Sequence, residues 1–185
     1  MKKVSDIHAI KIIFFITACY VGLWVIRIPT IKDQLQTDYL GVGYIMLSFA
    51  IGSIVAMIFA NALILKTSTK SILTFTLIAE GCLWLPVPFI QELWIFMIFS
   101  FIFGTSYGAF EIACNVYASN LEVREKKSMM SGFHAFWSLG VLFGSLITSF
   151  LLEWNYSFIF NILLYVIILL PLSLYFVLCL ESQVE

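Results

Sequence analysis

A carboxyl and an amide lie one helical turn apart in a long apolar stretch of the sequence. Glu111 and Asn115 follow Gly104 and Gly108 at steps of three and four residues, so all four share one face of a helix. A carboxyl at membrane depth can exchange protons with a water-filled cavity, or it can hydrogen-bond to a neighbouring helix as a packing lock. We favour proton exchange for Glu111, because ionisable groups inside a membrane more often serve function than structure.

An apolar stretch nearer the N-terminus also has polar and aromatic residues on one helical face. Tyr20, Trp24 and Arg27 recur at three- and four-residue steps, with Arg27 near the end of the stretch. The guanidinium of Arg27 can attract an anionic or hydroxyl-rich solute. Equally, it can extend to the lipid headgroups, as long basic side chains at helix ends do. The sequence leaves both interpretations open.

Two further titratable residues lie in apolar stretches. His134 stands at the start of one of them, where an imidazole can titrate near neutral pH or hydrogen-bond to the adjoining connection. We favour the hydrogen bond, and His134 stays among the candidate pathway residues. Glu80 has only Ser71, Thr74 and Thr76 as polar neighbours on its face, and the sequence assigns it no role.

An intramembrane serine protease is the less favoured interpretation of the same residues. Gly104 to Gly108 fit the G-x-S-x-G pattern of hydrolases with Ser106 as nucleophile, but that pattern needs a strand-to-helix turn. Ser106 lies instead inside an apolar stretch, and the candidate base His134 is expected at a different membrane depth. The four cysteines are widely spaced and have no histidine at ligand spacing. We therefore expect no enzyme, no metal site and no cofactor.

The composition identifies the environment of these residues as a lipid bilayer. Of the 185 residues, 62% are hydrophobic and only 11% are charged, whereas a soluble domain carries roughly 25% charged residues. A small globule cannot hide so much apolar surface from water. The net charge of -1 and the absence of a basic stripe give no indication of nucleic-acid binding.

Charged and turn-forming residues divide the chain into six apolar stretches. Each is about the 20 residues that a membrane-spanning helix needs, and too long for a strand of a membrane barrel. Because backbone polar groups must be satisfied within the membrane, the stretches are predicted to be helices. The prediction is an all-α polytopic membrane protein, with residues 1–185 as a single six-helix domain. Its helices are expected at about 10–29, 42–65, 71–90, 93–118, 132–152 and 156–180.

The basic residues predict the orientation of the bundle. If the N-terminus is cytoplasmic, eight of the ten Lys and Arg residues fall on the cytoplasmic side and only Arg27 and Lys32 on the other. Both termini are therefore expected in the cytoplasm. The basic start and following apolar run also resemble a secretory signal. That run continues past Cys19 to Ile28, which a cleaved signal does not need, so we expect a first membrane helix.

Several ordered segments resemble the Major Facilitator Superfamily, in particular the N-terminal six-helix half of a bacterial, fucose-permease-like transporter. The resemblance extends over nearly the whole chain. Three segments carry it: Trp24-Val25-Ile26-Arg27-Ile28-Pro29-Thr30-Ile31-Lys32; Gly104-x-x-x-Gly108-x-x-Glu111-x-x-x-Asn115 with Glu122-x-Arg124; and Met130-Ser131-Gly132-Phe133-His134-Ala135-Phe136-Trp137-Ser138-Leu139-Gly140. One segment departs from the family: the connection after the second helix keeps Lys66 and Lys70 but has Leu65 for the acid and Ser68 for a glycine.

The resemblance implies secondary transport in the bacterial cytoplasmic membrane. By analogy, the first and fourth helices line the central cavity. Arg27, Trp24, Tyr20, Glu111 and Asn115 then lie on the pathway of a small polar organic solute, Glu111 couples its symport to protons, and Glu80 is peripheral. Such transporters have two six-helix halves that rock about a midplane site. The chain is therefore expected to need a second half or to self-associate, and a non-transporting membrane remnant or scaffold is the alternative.

Overall fold

Six long helices account for nearly all of the described residues. The computed structural model describes residues 5–181, with only the backbone described for residues 60–63 and 65. All six helices are long and apolar enough to cross a membrane, and the described residues contain no strand, so the predicted all-α class is confirmed. The helices are α1 (Asp6–Gln34), α2 (Tyr39–Lys66), α3 (Thr69–Trp84), α4 (Leu93–Glu125), α5 (Met130–Glu153) and α6 (Phe158–Cys179), and a single 3₁₀ turn (Val87–Phe89) follows α3.

The helix ends differ from the sequence expectation in a consistent way. Hydropathy places the end of the fourth stretch near residue 118, yet α4 continues to Glu125. Helical hydrogen bonding does not depend on apolar side chains, so a helix continues into the polar membrane surface where its hydropathy signal stops. The exceptions are α6, which lies one or two residues inside its expected bounds at both ends, and α3, which ends early at Trp84. Pro86 and Pro88 follow it, and proline restricts the residue before it and cannot donate a helical hydrogen bond.

Successive helices run antiparallel, so the connections lie at two ends of the bundle. The terminal end contains both described chain ends and the connections 67–68 and 126–129. The far end contains the connections 35–38, 85–92 and 154–157. At the terminal end Arg124 forms an ion pair of 2.8 Å with the buried Asp6, and Asp6 also accepts a hydrogen bond from the backbone N–H of Glu181. These contacts join the ends of α1, α4 and α6.

The packing of the helices repeats within the bundle. α1 packs against α5 and α6, and α4 packs in the same way against α2 and α3, while α3 and α6 contact each other. Exchanging α1–α3 with α4–α6 leaves this pattern unchanged. The chain therefore has an internal three-plus-three repeat, a common plan among membrane transport proteins.

Glycines allow α4 to pack against α2, and α5 against α1, with their backbones in close contact. A side-chain carbon at Gly104 of α4 would overlap the Phe49 carbonyl of α2, and one at Gly144 of α5 would overlap the Cys19 carbonyl of α1. Small residues at such positions are the usual means of close helix packing in membranes. Gly104 and Gly108, the two glycines of the Glu111 face, thus pack against α2.

Two glycine-to-alanine substitutions are expected to change the stability of the protein to different extents. We expect Gly104→Ala to destabilise the protein by about 1–3 kcal/mol, because the methyl group meets a carbonyl that cannot move freely. The matched control is Gly132→Ala in α5, where an added carbon meets nothing within 4 Å. That control is expected to be neutral or to stabilise by about 0.5–1 kcal/mol. Thermal unfolding of the two variants in detergent measures the difference, and equal midpoints would contradict it.

Candidate functional site

A polar cavity lies between α1, α4 and α5, in the half of the bundle nearer the terminal end. Its volume is about 160 Å³, which has room for several water molecules. Glu111 and Asn115 line it from α4, and His134 lines it from α5. The structure therefore brings together three of the residues singled out in the sequence. The other lining residues are Phe14, Tyr107, Phe110, Cys114 and Trp137.

The carboxylate of Glu111 is the least constrained polar group of this cavity. Glu111 is half-buried, and within the described part of the chain its carboxylate has no hydrogen bond and no ion pair. Only its backbone carbonyl is engaged, accepting a hydrogen bond of 2.9 Å from the Asn115 amide. A packing lock would require a bond from the carboxyl to a neighbouring helix. The geometry instead leaves the carboxylate free to meet water or a solute.

His134 and two aromatic side chains form the rest of the polar lining. The imidazole of His134 is exposed and lies edge-on to the Phe14 ring at 5.6 Å between centroids. The Trp137 indole of α5 and the Tyr107 phenol of α4 line the same cavity. Tyr107 was not among the sequence candidates, although it stands four residues before Glu111 and so on the same helical face. That spacing is the signal that could have found it.

Tyr20 and Trp24 lie in a different part of the bundle. The Tyr20 ring is buried and stacks on Trp84 of α3 at 6.1 Å, and Trp24 contacts Trp84 and Phe96. These rings form an aromatic cluster in the far half of the bundle. Neither side chain lines the cavity of Glu111.

Arg27 is held by α6 near the far end. The side chain is buried, with 2% exposure. Its Nε donates to Asn161 Oδ1 at 3.1 Å, its Nη2 donates to the Tyr156 carbonyl at 3.3 Å, and the guanidinium lies 5.3 Å from the Phe158 ring centroid. The sequence offered a solute contact or a headgroup contact for Arg27. In the structure the guanidinium is engaged by a neighbouring helix.

We expect loss of the Arg27 contacts to reduce stability. Arg27→Met leaves the buried Asn161 Oδ1 without its donor, at a cost of about 1–3 kcal/mol, and also removes the hydrogen bond to the Tyr156 carbonyl. The matched control is Lys32→Met, because Lys32 is partly exposed and contacts the exposed Asp33 carboxylate and the exposed Tyr39 ring. Its loss is expected to cost less than about 1 kcal/mol. Thermal unfolding in detergent distinguishes them. An Arg27→Met variant that melts no lower than the Lys32→Met control would indicate that the α6 contacts contribute nothing.

Ser106 does not meet a histidine. It lies with Thr105 in an apolar groove of about 720 Å³ between α3 and α4, whereas His134 lines the separate cavity between α1, α4 and α5. Ser106 and the His134 imidazole therefore lie in separate pockets and are not placed to act together. Across residues 5–181, no cluster of three His, Cys, Asp or Glu side chains is placed to hold a metal ion.

Six apolar helices with an internal repeat and a polar cavity at membrane depth define a polytopic membrane protein of the transporter class. The sequence profile of the Major Facilitator Superfamily matches residues 12–183, and the chain belongs to this family of transporters. Its members are transporters, not enzymes.

Two curated relatives are similar to the chain. One is an uncharacterized MFS-type transporter of Yersinia pestis, 27% identical over 143 residues, which cover 77% of this chain and 37% of that protein. The other is an uncharacterized transporter of Sinorhizobium fredii, 23% identical over 141 residues, which cover 71% of this chain and 35% of that protein. The chain thus spans little more than a third of the length of the relatives it matches. No solved structure matches it.

Proposed function

We propose that the chain is one six-helix half of a transporter that takes up a small polar organic solute by proton symport. The observation that carries the proposal is the half-buried Glu111 carboxylate, which lies in a polar cavity without an ion pair or hydrogen bond among the described residues. A carboxyl in such a place can bind a proton from one side of the membrane and release it to the other. Proton uptake and release at Glu111 is the coupling step.

The neighbours of Glu111 offer a solute both hydrogen-bond donors and hydrogen-bond acceptors. The Asn115 amide and the His134 imidazole each contain a donor and an acceptor, and both line the same cavity. The Trp137 and Phe14 rings supply flat apolar walls beside them. Hydroxyl-rich or amide-containing solutes suit this combination. Arg27, Tyr20 and Trp24 are proposed to shape the pathway nearer the far end, where the aromatic cluster contacts α3.

In alternating access, one six-helix half of a transporter moves against a second half. We propose that a second six-helix half, or a second copy of the chain, covers the open side of the Glu111 cavity. The excess of basic residues at the terminal end favours an orientation with that end in the cytoplasm. The bacterial cytoplasmic membrane is the proposed location.

Solute-induced proton uptake tests the proposal. Lightly buffered cells of the native host, which also makes any separate second half, receive a panel of sugars, amino acids and organic acids, and the external pH is recorded. We expect one class of solute to make the medium alkaline, and we expect a protonophore to remove the response. Cells without the chain serve as the control. If no solute class changes the external pH, the proposal fails and a non-transporting scaffold becomes the better description.

A further inference from the structure

The apolar groove between α3 and α4 is separate from the Glu111 cavity, and the proposed function does not use it. Its lining extends from Ser71 to Leu83 on α3 and from Ile102 to Ala109 on α4. Two of its large side chains, Phe75 and Ile102, are 72% and 51% exposed, so the groove opens to the surroundings of the bundle. Because α3 and α4 are both apolar enough to span a membrane, those surroundings are lipid.

The length of the groove matches one leaflet of a bilayer. Ser71 and Leu83 are twelve residues apart, which is about 18 Å along a helix at 1.5 Å per residue. The hydrocarbon core of a bilayer is about 30 Å thick, so one leaflet contributes about 15 Å. A partner helix that crosses the membrane runs the full 30 Å or so, whereas α3 ends at Trp84, one residue beyond Leu83. The length therefore favours an acyl chain over a helix.

The hydroxyl groups at membrane depth in the groove present no free donor at its surface. Thr76 Oγ1 donates to the Ile72 carbonyl at 2.8 Å, and Thr105 Oγ1 donates to the Phe101 carbonyl at 2.7 Å. Ser106 Oγ is covered by surrounding protein atoms. A polar solute therefore finds little to hydrogen-bond here. An acyl chain, by contrast, gains van der Waals contacts with these walls without leaving a polar group of its own unpaired.

Two lysines flank the groove where it reaches the terminal end. Thr67 lines this mouth, and Lys66 beside it is exposed and has no ion pair among the described residues. Lys70 precedes Ser71, and its ammonium donates to two backbone carbonyls at the end of α6, at 3.0 and 2.6 Å. Carbonyls satisfy its hydrogen bonds but do not neutralise its charge. Lysines at the membrane surface attract anionic lipid headgroups.

We propose that this groove is a binding site for an anionic phospholipid of the leaflet at the terminal end. An acyl chain lies between α3 and α4, and the phosphate of the headgroup meets Lys66 and Lys70. The apolar walls accept the chain of any phospholipid, and the two lysines select a net negative headgroup over a zwitterionic one. Lipid binding at this site does not depend on the proposed transport of a solute.

Native mass spectrometry tests the selection of the headgroup. The purified chain in mild detergent receives equal amounts of phosphatidylglycerol and phosphatidylethanolamine, and we expect it to retain one phosphatidylglycerol. Replacing both lysines, Lys66→Gln with Lys70→Gln, is expected to lower this retention about 30-fold, because each lysine contributes about 1 kcal/mol and 1.4 kcal/mol is tenfold. The matched control is Lys126→Gln with Lys127→Gln, two exposed lysines in another connection at the same end. Equal retention of the two lipids, or an equal loss in the control, would overturn the proposal.

Filling the groove tests the place of the acyl chain. Ala79→Trp puts an indole into the groove from a partly buried position, and it is expected to abolish retention of phosphatidylglycerol. The matched control is Ile167→Trp on α6, at a side chain that is 68% exposed, and it should retain the lipid. Undiminished retention in Ala79→Trp places the lipid elsewhere and overturns the proposal. So does a lipid-free dimer of the wild type that Ala79→Trp dissociates, because a second copy then occupies the groove. If Ala79→Trp does not fold, the lysine variants decide the question.

Discussion

Glu111→Gln is expected to abolish proton-driven accumulation while leaving solute exchange intact. A pH difference of two units stores about 2.7 kcal/mol per proton, enough for roughly 100-fold accumulation of a solute carried with one proton. The amide of Gln keeps the shape and hydrogen-bonding capacity of a protonated carboxyl but does not titrate. The accumulation ratio should therefore fall from about 100 to about 1, while exchange between labelled and unlabelled solute continues.

The measurement uses membrane vesicles with an imposed pH gradient and the solute identified by the alkalinisation assay. Glu92→Gln is the matched control, because Glu92 is an exposed carboxyl in the far-end connection before α4. The control should accumulate solute like the wild type. If Glu111→Gln still concentrates the solute in response to the pH gradient, Glu111 is a packing residue only, and Glu80 is the next coupling candidate.

The sequence was sufficient to predict the class of fold and one part of the cavity. Apolar length and composition predict six membrane helices because a bilayer imposes the same requirement on each of them. The pairing of Glu111 with Asn115 follows from helical spacing alone, and the structure has their amide-to-carbonyl bond at 2.9 Å. Both features are local along the chain, so they need no knowledge of which helices touch.

The surroundings of Arg27 and Glu80 could not be predicted from the sequence, because they depend on contacts between helices. Arg27 reaches Asn161 and Tyr156 more than a hundred residues away, and periodicity within α1 carries no information about α6. Glu80 has only serine and threonine as polar neighbours within α3, and that spacing does not show that the other helices bury it to 5% exposure. The family analogy places the third helix outside the pathway; Glu80 is buried, with 5% exposure, and is not among the residues that line the Glu111 cavity.

We expect the isolated chain to need a second six-helix half for transport. The dependence of the uptake rate on the protein-to-lipid ratio can show whether a second copy of the chain supplies that half. His134 is exposed beside the cavity, and large apolar side chains such as Leu47 of α2 and Leu142 of α5 are exposed as well. Lipid suits the leucines, but polar groups at membrane depth are costly against lipid. A partner that supplies polar contacts and a second cavity wall removes this cost and permits rocking about the site.

Purified chain is reconstituted into liposomes over a wide range of protein-to-lipid ratios, and the initial rate of solute uptake is measured at each. If a second copy supplies the other wall, the rate rises with the square of the ratio while monomer predominates, because two chains must meet. If a separate six-helix protein is required, no ratio gives uptake until that protein is added. A rate that rises in direct proportion from the lowest ratios would mean that one chain transports alone, and the proposed need for a second half would be wrong. Gly132→Ala, which changes a glycine with open space around it, serves as the folding-neutral control for every reconstitution.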